Sequence, residues 1–194
     1  MDMTDKPRIG IIIGTTRPAR FGHRPAEWFY DIARQRDDAE FEIVDLRDYD
    51  LPLFAEDRSP IYAPSENPEV RRWSDKIASL DGYIFVTAEY NHSISAALKN
   101  ALDSIYPEFG RKPASFVGYG SAGGSRAVEH LRGILAELHV ATLKQAVHIG
   151  MTEMLGFLRD GKTFADFPYL DETTGPVLND IVWWSRALRT ARAA

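Results

Sequence analysis

Five short apolar runs punctuate the chain, and longer stretches with apolar residues three and four positions apart separate them. The runs are Ile9 to Ile13, broken only by Gly10; Phe41 to Leu46; Tyr83 to Val86; Ser115 to Val117, leading into Gly118; and Ala146 to Ile149. Runs this short, rich in β-branched and aromatic residues, predict buried strands of a parallel sheet. Helical spacing recurs in Trp28, Phe29, Ile32 and Ala33, then in Val70, Trp73, Ile77 and Leu80. It returns in Ile94, Ala97, Leu98, Ala101, Leu102 and Ile105, and again in Val128, Leu131, Leu135 and Leu138. A last stretch carries Val177, Ile181, Trp184 and Leu188 and ends among Arg186, Arg189 and Arg192, charges that suit a helix C-terminus. Strand and helix in alternation predict one α/β domain over residues 1–194, a three-layer sandwich around a single parallel sheet.

Two stretches break the alternation. Arg47 to Asn67 contains Pro52, Pro60 and Pro64, and Gly150 to Gly175 contains Gly156, Gly161 and Pro168. Connections of such length serve as lids or subunit contacts, or are disordered. Phe54, Tyr62, Phe157, Phe164 and Phe167 are too apolar for open solvent and favour a lid or an interface.

Composition narrows the function. The 194 residues are 44% hydrophobic and 26% charged, enough to bury about 70% of the unfolded surface without disulfides or a structural metal. A net charge of −5 argues against a general nucleic-acid binder. Cysteine is absent, which excludes thiolate metal sites, iron–sulfur clusters, cysteine nucleophiles and dithiol redox chemistry, so any redox function needs a borrowed cofactor. The polar opening Met1 to Pro7 has no secretory apolar run, and no aliphatic run approaches the ~20 residues of a membrane span; a cytoplasmic protein is expected.

Candidate chemistry falls in three loops that follow strands. The first, Gly14 to Arg24, lies in a span from Gly10 to Ala26 with no Asp or Glu. Thr15, Arg17, Gly22, His23 and Arg24 stand there at a helix entrance, where free amides and the helix dipole favour an anion, most naturally a phosphate. No Gly-Lys-Ser/Thr follows, so this is not a Walker A loop. The second, Thr87 to Ser93, packs Ala88, Glu89, Tyr90, Asn91, His92 and Ser93 before a helix that Ser93 or Ser95 could cap. His92 alone does not make a catalytic site, since a lone loop histidine is commonly a surface or hydrogen-bonding residue. The third, Gly118 to Gly124, contains Gly120, Ser121, Ala122, Gly123 and Gly124 and formally matches G-x-G-x-x-G. It lies in the fourth unit, and no carboxylate closes the next strand, so it is not a dinucleotide fingerprint. Its glycines instead suit close approach of backbone to a flat ligand. In a doubly wound sheet of order 2-1-3-4-5 the three loops are neighbours at the carboxyl edge, the place where flavodoxin holds FMN. A phosphate site beside an aromatic–amide loop and a glycine loop fits FMN.

The same residues resemble a known family, the NAD(P)H-dependent FMN reductases of the flavodoxin-like superfamily. GTTRPARFG resembles the family's phosphate loop, and TAEYNHSISAALKNALD its Pro-Glu-Tyr-Asn-x-Ser segment with the Leu-Lys-Asn-Ala-x-Asp helix behind it. LPLF, Leu51 to Phe54, and the loop Gly120 to Gly124 match as well, over a span from about Arg8 to Gly150, while Ala88 stands where the family commonly has proline. The resemblance implies a five-stranded flavodoxin-like fold and an FMN-dependent oxidoreductase. It would take hydride from NADPH or NADH and pass electrons to a flavin, quinone, azo or metal-oxyanion acceptor by a ping-pong mechanism. Neither a catalytic side chain nor a metal is required of the protein. The alternatives are a flavodoxin-like electron carrier without turnover and a scaffold that has lost its cofactor. A homodimer or homotetramer is expected, both from the family and from the apolar helix Ile94 to Tyr106 with its neighbouring insertions.

Overall fold

Four isoleucines in the first apolar run, Ile9, Ile11, Ile12 and Ile13, are almost completely buried, because their strand has helices on both faces. The computed structural model describes residues 6–194; the polar opening Met1 to Asp5 lies outside the described residues. The strands are β1 (Arg8–Ile13), β2 (Glu40–Asp45), β3 (Gly82–Ala88), β4 (Pro113–Tyr119) and β5 (Ala141–Ile149). They form one sheet of order β2-β1-β3-β4-β5, parallel throughout. The helices are α1 (His23–Ala33), α2 (Pro68–Ala78), α3 (Ala96–Asp103), α4 (Ser125–Glu137), α5 (Met151–Arg159) and α6 (Pro168–Arg192). This is a flavodoxin-like fold.

Alternation along β1 divides the core. Ile9, Ile11 and Ile13 pack with Phe29 of α1, Phe157 of α5 and Val177 and Ile181 of α6. Ile12 faces the opposite layer, with Trp73 of α2, Leu98 of α3 and Leu131 of α4. Crossovers in both directions leave the carboxyl ends of β1, β3 and β4 side by side at the switch in strand order.

Two expectations change. The stretch Gly150 to Gly175 is not a long loop: it holds α5 and the first turns of α6, which starts with Pro168 and continues through Pro176. Proline suits the first helical position, and burial of Leu170, Thr174 and Val177 outweighs the backbone bond lost inside the helix. Phe157 and Phe167 are buried in the domain's own core and half-buried Phe164 stacks on Trp28 at 4.4 Å, so these rings find cover within the domain itself. Likewise Ile94, Leu98, Ala101, Leu102 and Ile105 are buried within the domain and give no exposed subunit face. Only the stretch from Arg47 to Asn67 stays largely irregular, with Leu53 and Tyr62 more than four-fifths exposed. Among the described residues, no helix is long and apolar enough to cross a membrane.

Candidate functional site

The loop between β1 and α1 is braced from behind. Asp45, at the end of β2, takes the guanidinium of Arg20 with both carboxylate oxygens and also accepts from the Arg47 amide at 2.9 Å. Burial alone pushes the Asp45 carboxyl up, but the Arg20 bonds, the Arg47 amide and both guanidinium charges overcome this and hold it below the usual range. Arg20 donates in addition to the carbonyl of Thr15 at 2.7 Å. Arg47 donates to the carbonyls of Thr16 (3.2 Å), Arg17 and Pro18 (2.9 Å). On the other side of the loop, the amides of Thr16, Arg17, Ala19, Gly22 and His23 meet no protein acceptor among the described residues.

The expected charges of this loop sort themselves by partner. Arg20 is buried against Asp45, and Arg24 donates to the Phe157 carbonyl at 3.2 Å. His23 Nδ1 lies 3.0 Å from the Arg20 carbonyl, which can only accept, so that nitrogen carries the proton. Arg17 stays exposed, its guanidinium 5.8 Å from the centre of the Tyr90 ring. Thr15 is buried, with Oγ1 3.2 Å from the Tyr119 hydroxyl, and a Cβ on Gly22 would stand 2.7 Å from that same hydroxyl. Burial pushes Tyr119 up to about 12, so its hydroxyl stays protonated under the loop.

The β3 loop is a tight turn. Tyr90 and Ser93 exchange backbone bonds of 2.9 and 3.1 Å, and between them Asn91 (φ 50°) and His92 (φ 72°) both have positive φ. That is the pattern of a type I′ turn, which asparagine tolerates well. It explains His92 as an exposed turn residue. Of the two candidate caps, Ser95 is the one that serves α3: its Oγ accepts from the Leu98 amide at 3.0 Å and donates to the Gly14 carbonyl, tying the β1 and β3 loops together. Ser93 Oγ instead meets His130 Nδ1 at 2.7 Å. The Glu89 amide donates to the Tyr119 carbonyl at 2.9 Å, and the buried Glu89 carboxylate pairs with Arg126 at the start of α4. Its second oxygen, Oε2, is buried and has no hydrogen-bond partner among the described residues.

The glycine loop follows β4. Gly124 is left-handed (φ 67°), and a Cβ there would stand 2.4 Å from the Tyr119 amide nitrogen, so only glycine fits. Gly123 is held by its amide on the Gly120 carbonyl (3.0 Å) and by His148 Nδ1 on its own carbonyl (2.8 Å). Ser121 and Ala122 are left exposed at the rim. The sixteen expected positions therefore lie on three adjacent loops and the element ends that border them, with His23 and Arg24 opening α1 and Ala88 closing β3. A row of free amides with one free guanidinium, next to a planar turn and a loop of small residues, has the donors and the shape for a phosphate joined to a flat ring.

Residues 7–153 match the model of the family described as NADPH-dependent FMN reductase. The chain belongs to this family. Membership makes it an FMN-dependent oxidoreductase with NADH or NADPH as electron donor, in line with the loops just described. An NAD(P)H-dependent FMN reductase of Schizosaccharomyces pombe is 32% identical over 86% of this chain and 92% of its own. A 2-hydroxy-1,4-benzoquinone reductase of a Burkholderia species is 34% identical over 71% of this chain and 75% of its own. Among solved structures, the flavoenzyme FerB, an NAD(P)H:(acceptor) oxidoreductase from Paracoccus denitrificans, superposes with a TM-score of 0.72 at 23% identity, covering 93% of this chain and 98% of that one. That likeness shows the shared fold.

Sequence reasoning missed four residues that shape this candidate site. Tyr119 ends β4 directly before the glycine loop, where an aromatic between Gly118 and Gly120 was a usable signal. Asp45, Arg47 and Arg126 come from elements whose local pattern says nothing of the β1 or β3 loop. Only the strand register, with Asp45 opposite Ile13, brings the brace to the loop it holds.

Proposed function

We propose that the β1 loop holds the FMN phosphate, through the amides around Thr16, Arg17, Gly22 and His23 and the guanidinium of Arg17. The observation that carries this is the row of amides without protein acceptors beside the one arginine of the loop whose guanidinium is not hydrogen-bonded within the described residues. Thr15 works from below, packed on Tyr119. The turn Ala88 to Ser93 and the loop Gly120 to Gly124 would hold the flat ring, oriented by their backbone groups and by the Tyr90 side chain. FMN, when bound, supplies the chemistry, accepting electrons from NAD(P)H and passing them on.

The three loops meet at one edge, and the glycine fingerprint after β4 is not a nicotinamide site. Donor and acceptor therefore occupy the same place in turn. The Burkholderia relative is named for a quinone, so a benzoquinone is the first acceptor to assay, ahead of free flavin, azo compounds and metal oxyanions. Initial rates at several fixed quinone concentrations should give parallel double-reciprocal lines against NADPH. Intersecting lines mean that donor and acceptor are bound together, which overturns this reading. The setting we propose is the cytoplasm, and the assembly a homodimer or homotetramer built through the exposed Arg47 to Asn67 stretch.

A further inference from the structure

Resting on the FMN phosphate assignment above, we propose that Arg47 is a positioning residue for that phosphate, although it faces the loop from the side away from the ligand. A peptide unit is planar and trans, so the carbonyl of one residue and the amide of the next point in opposite directions. Four consecutive carbonyls of the loop, Thr15 to Pro18, are drawn toward β2: Thr15 by Arg20, and Thr16, Arg17 and Pro18 by Arg47. The amides of the following residues are thereby turned away from β2. Pro18 has none, which leaves Thr16, Arg17 and Ala19, and these meet no acceptor within the described residues. In the sheet order, the direction away from β2 is the direction of β3, where Tyr90 sits under Arg17 and the strand order switches.

Arg47 thus points the donors of the cradle without touching what they hold. Its geometry is specific to a planar fork, since a single guanidinium serves three carbonyls while its own amide is fixed on Asp45 at 2.9 Å. Asp45 couples this hold to Arg20 by accepting from the Arg20 guanidinium and from the Arg47 main-chain amide, so the two arginines and one carboxylate form a single brace behind the loop. An exposed arginine on a short 3-10 turn (Leu46–Asp48) has no evident need of such fixed geometry for the core.

The test is the ratio of FMN to riboflavin affinity, measured by fluorescence titration of the ligand-free protein in the wild type, Arg47→Met and Arg47→Lys. Riboflavin lacks only the phosphate, so a defect in general folding or in ring placement lowers both affinities and leaves the ratio alone. The expected result is a wild type that prefers FMN, an Arg47→Met variant whose preference falls by about tenfold or more through lost FMN affinity, and an intermediate Arg47→Lys. Should Arg47→Met fail to fold, Arg47→Lys alone decides, because lysine keeps the charge but not the fork. A preference unchanged in the variants while the wild type favours FMN overturns the role of Arg47. A wild type with no preference overturns the phosphate assignment itself.

Discussion

Lys112 shows how a single buried charge sets a pH dependence far from the site. Its ammonium donates to the Ile77 and Ala78 carbonyls at 2.8 and 3.1 Å, at the end of α2, and burial together with the charge of Arg192 brings its pKa down to about 8. Between about 8 and the ordinary 10.5 the folded protein has released a proton that the unfolded chain keeps, so stability rises with pH across that window. Tyr119 acts in the opposite sense above its ordinary 10, since at about 12 it holds in the folded state a proton the unfolded chain has lost. Denaturant midpoints should therefore climb from pH 8 toward 10 and fall beyond, and Lys112→Met should remove the climb. A wild-type midpoint that does not move over that range contradicts the assignment. At this same scale the sequence was legible only in part. The acid-free run at Gly10 to Ala26 correctly marks where positive charge gathers, but which arginine is free there depends on Asp45 and on the Phe157 carbonyl, both remote in the chain.

Between elements, glycines separate shape from freedom. Gly124, left-handed at the head of α4, has the Tyr119 amide where a Cβ would go, whereas Gly133 inside α4 has open space. Gly124→Ala should destabilise the protein by about 1–2 kcal/mol or more from left-handed strain alone, and should loosen the site with it. Gly133→Ala should stabilise it by about 0.5–1 kcal/mol through helix propensity. Thermal or denaturant melts of the two variants check both signs, and equal effects would mean that the glycine loop is not a close-packed part of the site. The strands and the first four helices were legible because period and burial agree along them. The stretch Gly150 to Gly175 was not, because Gly156, Gly161 and Pro168 read as breaks, whereas Phe157, Leu170 and Val177 pack in the core and the chain is helical on either side of Gly161.

For the whole molecule, the order β2-β1-β3-β4-β5 brings together three loops that are far apart in the chain; the alternation of strands and helices gives a parallel sheet, and the resemblance to the flavodoxin-like family supplies its strand order. The apolar stripe on α3 is internal, and apolar side chains are exposed instead at Leu53, Ile61 and Tyr62 in the stretch after β2, at Leu158 of α5 and at Trp183 of α6. Sedimentation at micromolar concentration should show a dimer or tetramer, and Leu53→Asp with Tyr62→Asp should shift it toward monomer. A wild type that sediments as a monomer with FMN bound contradicts this.

The central claim is that the β1 loop recognises a phosphate, and the most direct measurement compares FMN with riboflavin on the wild type and on Arg17→Ala. FMN should bind far more tightly than riboflavin, and Arg17→Ala should weaken FMN by about 1.5–3 kcal/mol, the size of a lost charge-assisted hydrogen bond, with riboflavin little changed. Equal affinity of the wild type for the two flavins would contradict the account.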